Sequence, residues 1–160
     1  MLFPSLTKSH RPGFTIFEGL IVLAVFGVFA TLAVLSLNSA RARMRDAQRL
    51  SNVSIVRTAL SRYWLEKATY PASSEGVNLG EPGTKTDALT ADGFVDRADI
   101  GDKQVYIQVP TGPNANEYYR YKGGPNGFSI RFKTERDSDL GKANIYFVHA
   151  NGIDQEDVEK

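Results

Sequence analysis

The chain has no cysteine in 160 residues. That excludes a disulfide framework, a thiolate metal site and a cysteine nucleophile, and it leaves the redox compartment unread. Histidine is nearly absent as well: only His10 and His149 are present, one near the start and one at the end of a strand candidate, where a satisfied structural histidine is the expectation. No glycine loop precedes a helix in the manner of a phosphate cradle; Gly123-Gly124-Pro125-Asn126-Gly127 falls between two strand candidates and reads as a turn. Excess charge of one sign is also missing. Nineteen Lys and Arg stand against eighteen Asp and Glu, a net charge of +1, which excludes strong global attraction to nucleic acid. Without a convergent set of reactive groups, the expectation is a protein that is not an enzyme.

The most informative absence is local. From Phe14 to Leu37 the only ionisable side chain is Glu18, at the edge of the uncharged run GLIVLAVFGVFATLAVLSL. At ~1.5 Å per residue, such a stretch is long enough to cross a ~30 Å hydrocarbon core as a helix. An acid inside a membrane is costly and calls for a partner. Upstream, Lys8, His10 and Arg11 form a short basic leader. A secretory signal peptide, cut after Ala40-Arg41-Ala42 to leave a chain starting at Arg43, would use an apolar region of only ~7 to 15 residues. A plain single-pass anchor fits the length and leaves Glu18 unexplained.

The hexapeptide Gly13-Phe14-Thr15-Ile16-Phe17-Glu18, with a basic leader before it and an apolar run directly behind, resembles the class III signal of type IV pilins and type II secretion pseudopilins. The resemblance implies that a prepilin peptidase cuts between Gly13 and Phe14 and N-methylates Phe14. It also implies that Glu18, fifth in the mature chain, serves assembly. The new α-amino group, with an ordinary pKa near ~8, would give each subunit one cation and one anion at the same end of an apolar helix. Pairing of the Phe14 amine on one subunit with Glu18 on its neighbour would then set the axial register. The simpler alternative is a Glu18 that snorkels to the headgroups. Two features depart from the family: Arg11-Pro12 precedes Gly13, where a basic residue often stands immediately before the glycine, and the cysteine pair of many Gram-negative pilins is missing.

Residues 38–68 contain no Gly or Pro, and Ala47, Leu50, Val53, Val56, Leu60 and Tyr63 or Trp64 recur at spacings of three and four. That spacing predicts an amphipathic continuation of the helix, ended by Tyr70-Pro71. Gly27 could allow close helix approach or local unwinding. Arg41, Arg43, Arg45 and Arg49 outnumber the basic residues before the run, so the positive-inside rule would place the head in the cytoplasm. Orientation therefore rests on the leader motif. These arginines, with Arg57 and Arg62, are expected to be solvated or paired with a neighbouring subunit; no aromatic interleaving supports nucleic-acid binding.

Residues 72–102 read as a long loop with some local helix or turn structure, and its aspartates Asp92, Asp96, Asp99 and Asp102 raise the question of calcium. Several pseudopilins bind calcium in the head, but this spacing matches no ligand loop. No cofactor is expected, calcium in the head being the one candidate. Four strands are predicted at 104–109, 117–122, 128–134 and 144–149. Tyr106, Tyr119, Tyr121, Phe128, Ile130, Phe132, Ile145 and Phe147 supply the buried face.

The expected fold is α+β: a long N-terminal helix packed on a small antiparallel sheet of about four strands, as in pilins. Its parts are a leader at 1–13, a transmembrane and polymerisation helix at 14–37, an amphipathic continuation at 38–68 and a head completed by 69–160. The resemblance implies a structural subunit of a type IV pilus or type II secretion pseudopilus, held in the inner or cytoplasmic membrane before assembly and then in an extracellular or periplasmic filament. Its implied partners are prepilin peptidase, further copies of the chain, minor pilins or pseudopilins, and an inner-membrane assembly platform with its ATPase. The alternative is a membrane-anchored or secreted protein with a small α+β binding domain.

Overall fold

A computed structural model describes residues 13–160, which fall into two compact units divided between Ala40 and Arg41. The basic leader expected at 1–13 lies, apart from Gly13, outside the described residues. Helix α1, Ile16–Lys67, spans 52 residues. Its first part is apolar all round and none of it is buried. The helix runs through Gly27 without interruption, so this glycine does not unwind it.

In the second unit the helix from Arg41 onward turns one face inward. Val53, Val56, Ala59, Leu60 and Tyr63 are buried at the helical spacing that the sequence suggests. The full burial of Val53, Val56 and Leu60 is worth roughly 1.5 to 3 kcal/mol each. The predicted stripe is corrected at its start, and at its end Tyr63 and not Trp64 faces inward. Ala47, Leu50 and Trp64 are exposed, and the inward positions of the first turns belong to Arg49 and Asn52. Hydrophobicity alone could not place these two polar residues inside, because their burial depends on partners far away in sequence. The helix ends at Lys67, ahead of Tyr70-Pro71; Ala68 takes a left-handed φ of 54° and donates its N–H to the Trp64 carbonyl.

Two antiparallel sheets complete this unit. The main sheet comprises β1 (Ser73–Leu79), β5 (Tyr119–Gly123), β6 (Phe128–Lys133), β7 (Ile145–Val148) and β8 (Ile153–Asp154), in the order β1-β5-β6-β7-β8. The second sheet has the order β3-β2-β4, with β2 at Ala88–Thr90, β3 at Gly93–Val95 and β4 at Val105–Gln108. The helix face, Tyr119 and Tyr121 of β5, Phe128, Ile130 and Phe132 of β6, and Tyr146 and Val148 of β7 form one core. Phe94 of β3 meets Tyr121 edge-on at 5.0 Å, so the second sheet joins the same side of the main sheet as the core.

The long helix on antiparallel strands is as expected, and all four predicted strands exist, but they do not share one sheet. The segment 72–102 also holds β1, β2, β3 and a short 3-10 helix at Arg97–Asp99, instead of a loop. Two features hid them: β2 and β3 are only three residues long, and β1 carries a bulge between Ser73 and Val77 where Gly76 adopts φ 81°. A further correction concerns β7. Phe132 lies opposite Tyr146 and Ile130 opposite Val148, so Tyr146 and Val148 face the core and Ile145 and Phe147 the other way. The run IYFV is apolar at every position, which leaves its parity to the pairing register. Gly123 is required by a close approach: a Cβ there would fall 1.9 Å from the Tyr121 hydroxyl, which donates to the Pro71 carbonyl at 2.8 Å.

Candidate functional site

The first element of the site is the start of the helix. Gly13, Phe14 and Thr15 precede it, and the Gly13–Phe14 peptide lies in non-helical backbone with nothing near the glycine. Thr15 caps the helix: its Oγ1 accepts from the Glu18 N–H at 3.2 Å and its carbonyl from the Gly19 N–H at 3.1 Å. Glu18 thus stands in the first turn, where a carboxylate complements the positive end of the helix dipole. Thr15-Ile16-Phe17-Glu18 has the spacing of a capping box, of which the threonine half is formed.

Behind it the apolar surface is bare. Phe14 is 75 % exposed, and Phe17, Leu20, Leu23, Phe26 and Phe29 are exposed with it. The helix is long and apolar enough to cross a membrane. Within it Thr31 donates its hydroxyl to the Gly27 carbonyl at 2.8 Å and so needs no outside partner.

The second element sits on the helix in the other unit. Arg49, with a side chain 4 % exposed, meets Asp46 at 2.7 Å, Glu117 at 2.5 Å and Glu135 at 2.7 Å. Arg45 adds a second cation to Glu135, also at 2.5 Å. Asp46 accepts from the backbone N–H of Glu135 and of Arg136. This ties the helix to the segment before β5 and to the segment after β6. Asn52 extends the seam, donating to the Thr111 carbonyl at 2.8 Å and to the Tyr119 hydroxyl at 3.0 Å.

Hydrogen bonds from Arg45 first, and from Arg49, hold the Glu135 carboxyl down to about 2, and Arg49 likewise lowers Glu117. A carboxylate depressed on folding stabilises the fold fully above its unfolded value, about 4.3, and the contribution is lost as pH falls toward the folded value. The melting temperature should therefore hold level from neutral pH to about 5 and decline through the range below about 4.3. Circular dichroism melts across this range, with Glu135→Gln flattening the decline, check it.

Among the described residues no catalytic constellation accompanies these elements. His149 is fully buried and has both ring nitrogens engaged, Nδ1 with the Phe128 carbonyl and Nε2 with Asp154, each at 3.0 Å. Asp154 is held in turn by Lys160 at 2.8 Å. Among the described residues no group of three or more metal-ligating side chains converges. Asp92 lies 3.8 Å from Lys103, and Asp96 caps the 3-10 helix.

Compared with known proteins, the chain is similar to the type II secretion system core protein G of Aeromonas hydrophila, at 24 % identity covering 86 % of this chain and 96 % of the relative. The protein of the same name from Dickeya chrysanthemi is 23 % identical, covering 91 % and 95 %, and that of Escherichia coli K12 is 25 % identical, covering 81 % and 84 %. No family model matches the chain, and no solved structure does. This likeness, at low identity and over most of the chain, supports the type IV pilin and pseudopilin family. Its long apolar N-terminal helix and α+β head accord with that likeness.

In this chain the structure puts Gly13 and Phe14 just ahead of the helix and Glu18 one turn inside it, all three on exposed backbone. Glu18 has no ion pair among the described residues. The arginine-centred seam was not singled out in the sequence. Arg45 and Arg49 are paired within their own chain instead of being solvated or paired with a neighbour, and Arg57 donates to the Ala150 carbonyl at 2.8 Å. Glu117 opens one strand candidate and Glu135 follows another, but only the fold brings them to one helix position.

Proposed function

We propose that the chain is a non-enzymatic structural subunit of a type II secretion pseudopilus, processed at Gly13–Phe14 and polymerised through its N-terminal helix. One observation carries the reading. The apolar helix is wholly uncovered and interrupted by a single acid in its first turn, in a chain similar over most of its length to type II secretion core proteins. A surface of this kind needs lipid or other helices around it. Membrane insertion supplies the first surrounding, and copies of the chain supply the second.

Processing creates the pairing chemistry. Breaking the Gly13–Phe14 peptide leaves an α-ammonium on Phe14, four positions before Glu18. When two subunits dock, the amine of one can neutralise the Glu18 carboxylate of the other, and slipped registers strand both charges in apolar surroundings. The partners of this reading are a prepilin peptidase, further copies, minor pseudopilins and an inner-membrane platform with an ATPase. The subunit resides in the inner membrane first and in a filament afterwards.

The experiment is intact-mass measurement and amino-terminal sequencing of protein extracted from membranes that contain an active peptidase. A start at N-methylated Phe14 is expected. A start at Arg43 would mean a signal peptide, and an intact Met1 would mean a plain anchor.

A further inference from the structure

The outer face of the main sheet is basic. Tyr119 and Tyr121 of β5 and Ile130 and Phe132 of β6 point to the core, which leaves Arg120, Lys122, Arg131 and Lys133 on the opposite face. The register places Arg120 directly across from Arg131. Like charges at directly opposed positions destabilise a sheet, so this arrangement does not serve the fold. Gly76 makes room for it: a Cβ there would lie 2.9 Å from the Arg120 Nε.

Lys122 is engaged by Asp157 at 2.5 Å, and Arg120 donates to the Glu75 carbonyl at 2.6 Å. Arg131 and Lys133 are exposed and have no ion pair among the described residues, and residues 1–12 contain no acid that could supply one. A cleft of about 390 Å³ opens beside them, lined also by Asn78, Asn114 and Tyr118; the carboxylates at its edge, Glu117 and Glu135, are already held by Arg49.

The opposite charge lies elsewhere on the same unit. Between β3 and β4, Asp99 and Asp102 are exposed and make no ion pair among the described residues. This segment belongs to the second sheet, which packs through Phe94 on the inner side of the main sheet. The basic face is on the outer side. Acid and base therefore cannot meet within one copy.

We propose that the outer face of the main sheet, through Arg131 and Lys133, receives the acidic β3–β4 segment, through Asp99 and Asp102, of a second copy of this chain. Contact between two different patches is heterologous, and unless its rotation closes a ring it repeats head to tail into an open helix. Exposed ion pairs add little affinity singly, but they fix which surfaces meet. The inference rests on the filament reading above and names the contact between heads within it.

Charge reversal with rescue tests it, in the full chain co-expressed with its assembly machinery. Arg131→Glu with Lys133→Glu, and separately Asp99→Lys with Asp102→Lys, should each lower sheared filament mass about tenfold. All four changes together should restore it to within about twofold. A misfolded variant would not be rescued by changes on the far side of the sheet. Wild-type filament yield from either pair, or no gain on combining them, overturns the contact while the filament reading stands. Loss with the basic pair alone assigns that face to a different acidic partner and overturns the contact too. Absence of filaments from the unsubstituted chain overturns both.

Discussion

Glu18→Ala leaves the cut after Gly13 intact and removes filaments: this is the expected result for an acid that acts in assembly and not in processing. The Gly13–Phe14 peptide, the proposed cleavage site, lies in exposed, non-helical backbone ahead of the capping threonine. Removing the side chain of Glu18 leaves the Oγ1 of Thr15 and its bond to the residue 18 N–H in place, so the helix start survives. What disappears is the partner for the Phe14 ammonium when two subunits dock. Losing one member of a buried pair costs about 3 to 5 kcal/mol. Even ~3 kcal/mol is a factor of more than a hundred in each association step. The cleaved fraction by mass and sheared filaments by electron microscopy, at equal expression, decide it. Normal filaments from the variant would return Glu18 to a snorkelling or helix-capping role.

The second large effect is expected in the other unit, at the arginine seam. Arg49→Leu should lower the melting temperature of the full chain in detergent by roughly 10 °C or more, from a loss of about 3 to 5 kcal/mol. Leucine fills much of the space but leaves Asp46 and Glu117 without their cation and Glu135 with Arg45 alone. Arg49→Lys keeps the charge and loses the planar fork, so it should fall between wild type and leucine. Near-ultraviolet circular dichroism melts of the three proteins provide the comparison. A leucine variant within about 1 kcal/mol of wild type would show that the three acids find water without disturbing the fold.

The sequence makes some of this architecture readable and hides the rest for identifiable reasons. Periodicity over Val53, Val56, Leu60 and Tyr63 reports the inward helix face, because each of those positions is buried by bulk apolar contact. The same signal fails one turn earlier at Arg49 and Asn52, whose burial depends on specific partners 59 to 86 residues away. Strands β5 and β6 alternate cleanly and are read with the correct face. Strand β7 is apolar on both faces, so its inward pair, Tyr146 and Val148, emerges only from the ladder with β6. Of the site, Gly13, Phe14 and Glu18 are local motif residues and legible as such. The arginine seam and the basic outer face are products of tertiary arrangement.

The bare first part of the helix carries an energetic consequence for growth. On the proposed reading, this uncovered apolar surface would have hydrocarbon on every side both in a bilayer and among packed copies. Moving a subunit from lipid into a filament therefore exchanges one oily solvent for another, and the hydrophobic effect, which drives most protein association in water, nearly cancels. The reverse step into water is forbidden by the whole of the exposed apolar area. A subunit is in effect stored: unable to leave alone, and with little spontaneous tendency to leave in company. The direction of growth must then come from mechanical work and from the few polar groups that tell one register from another.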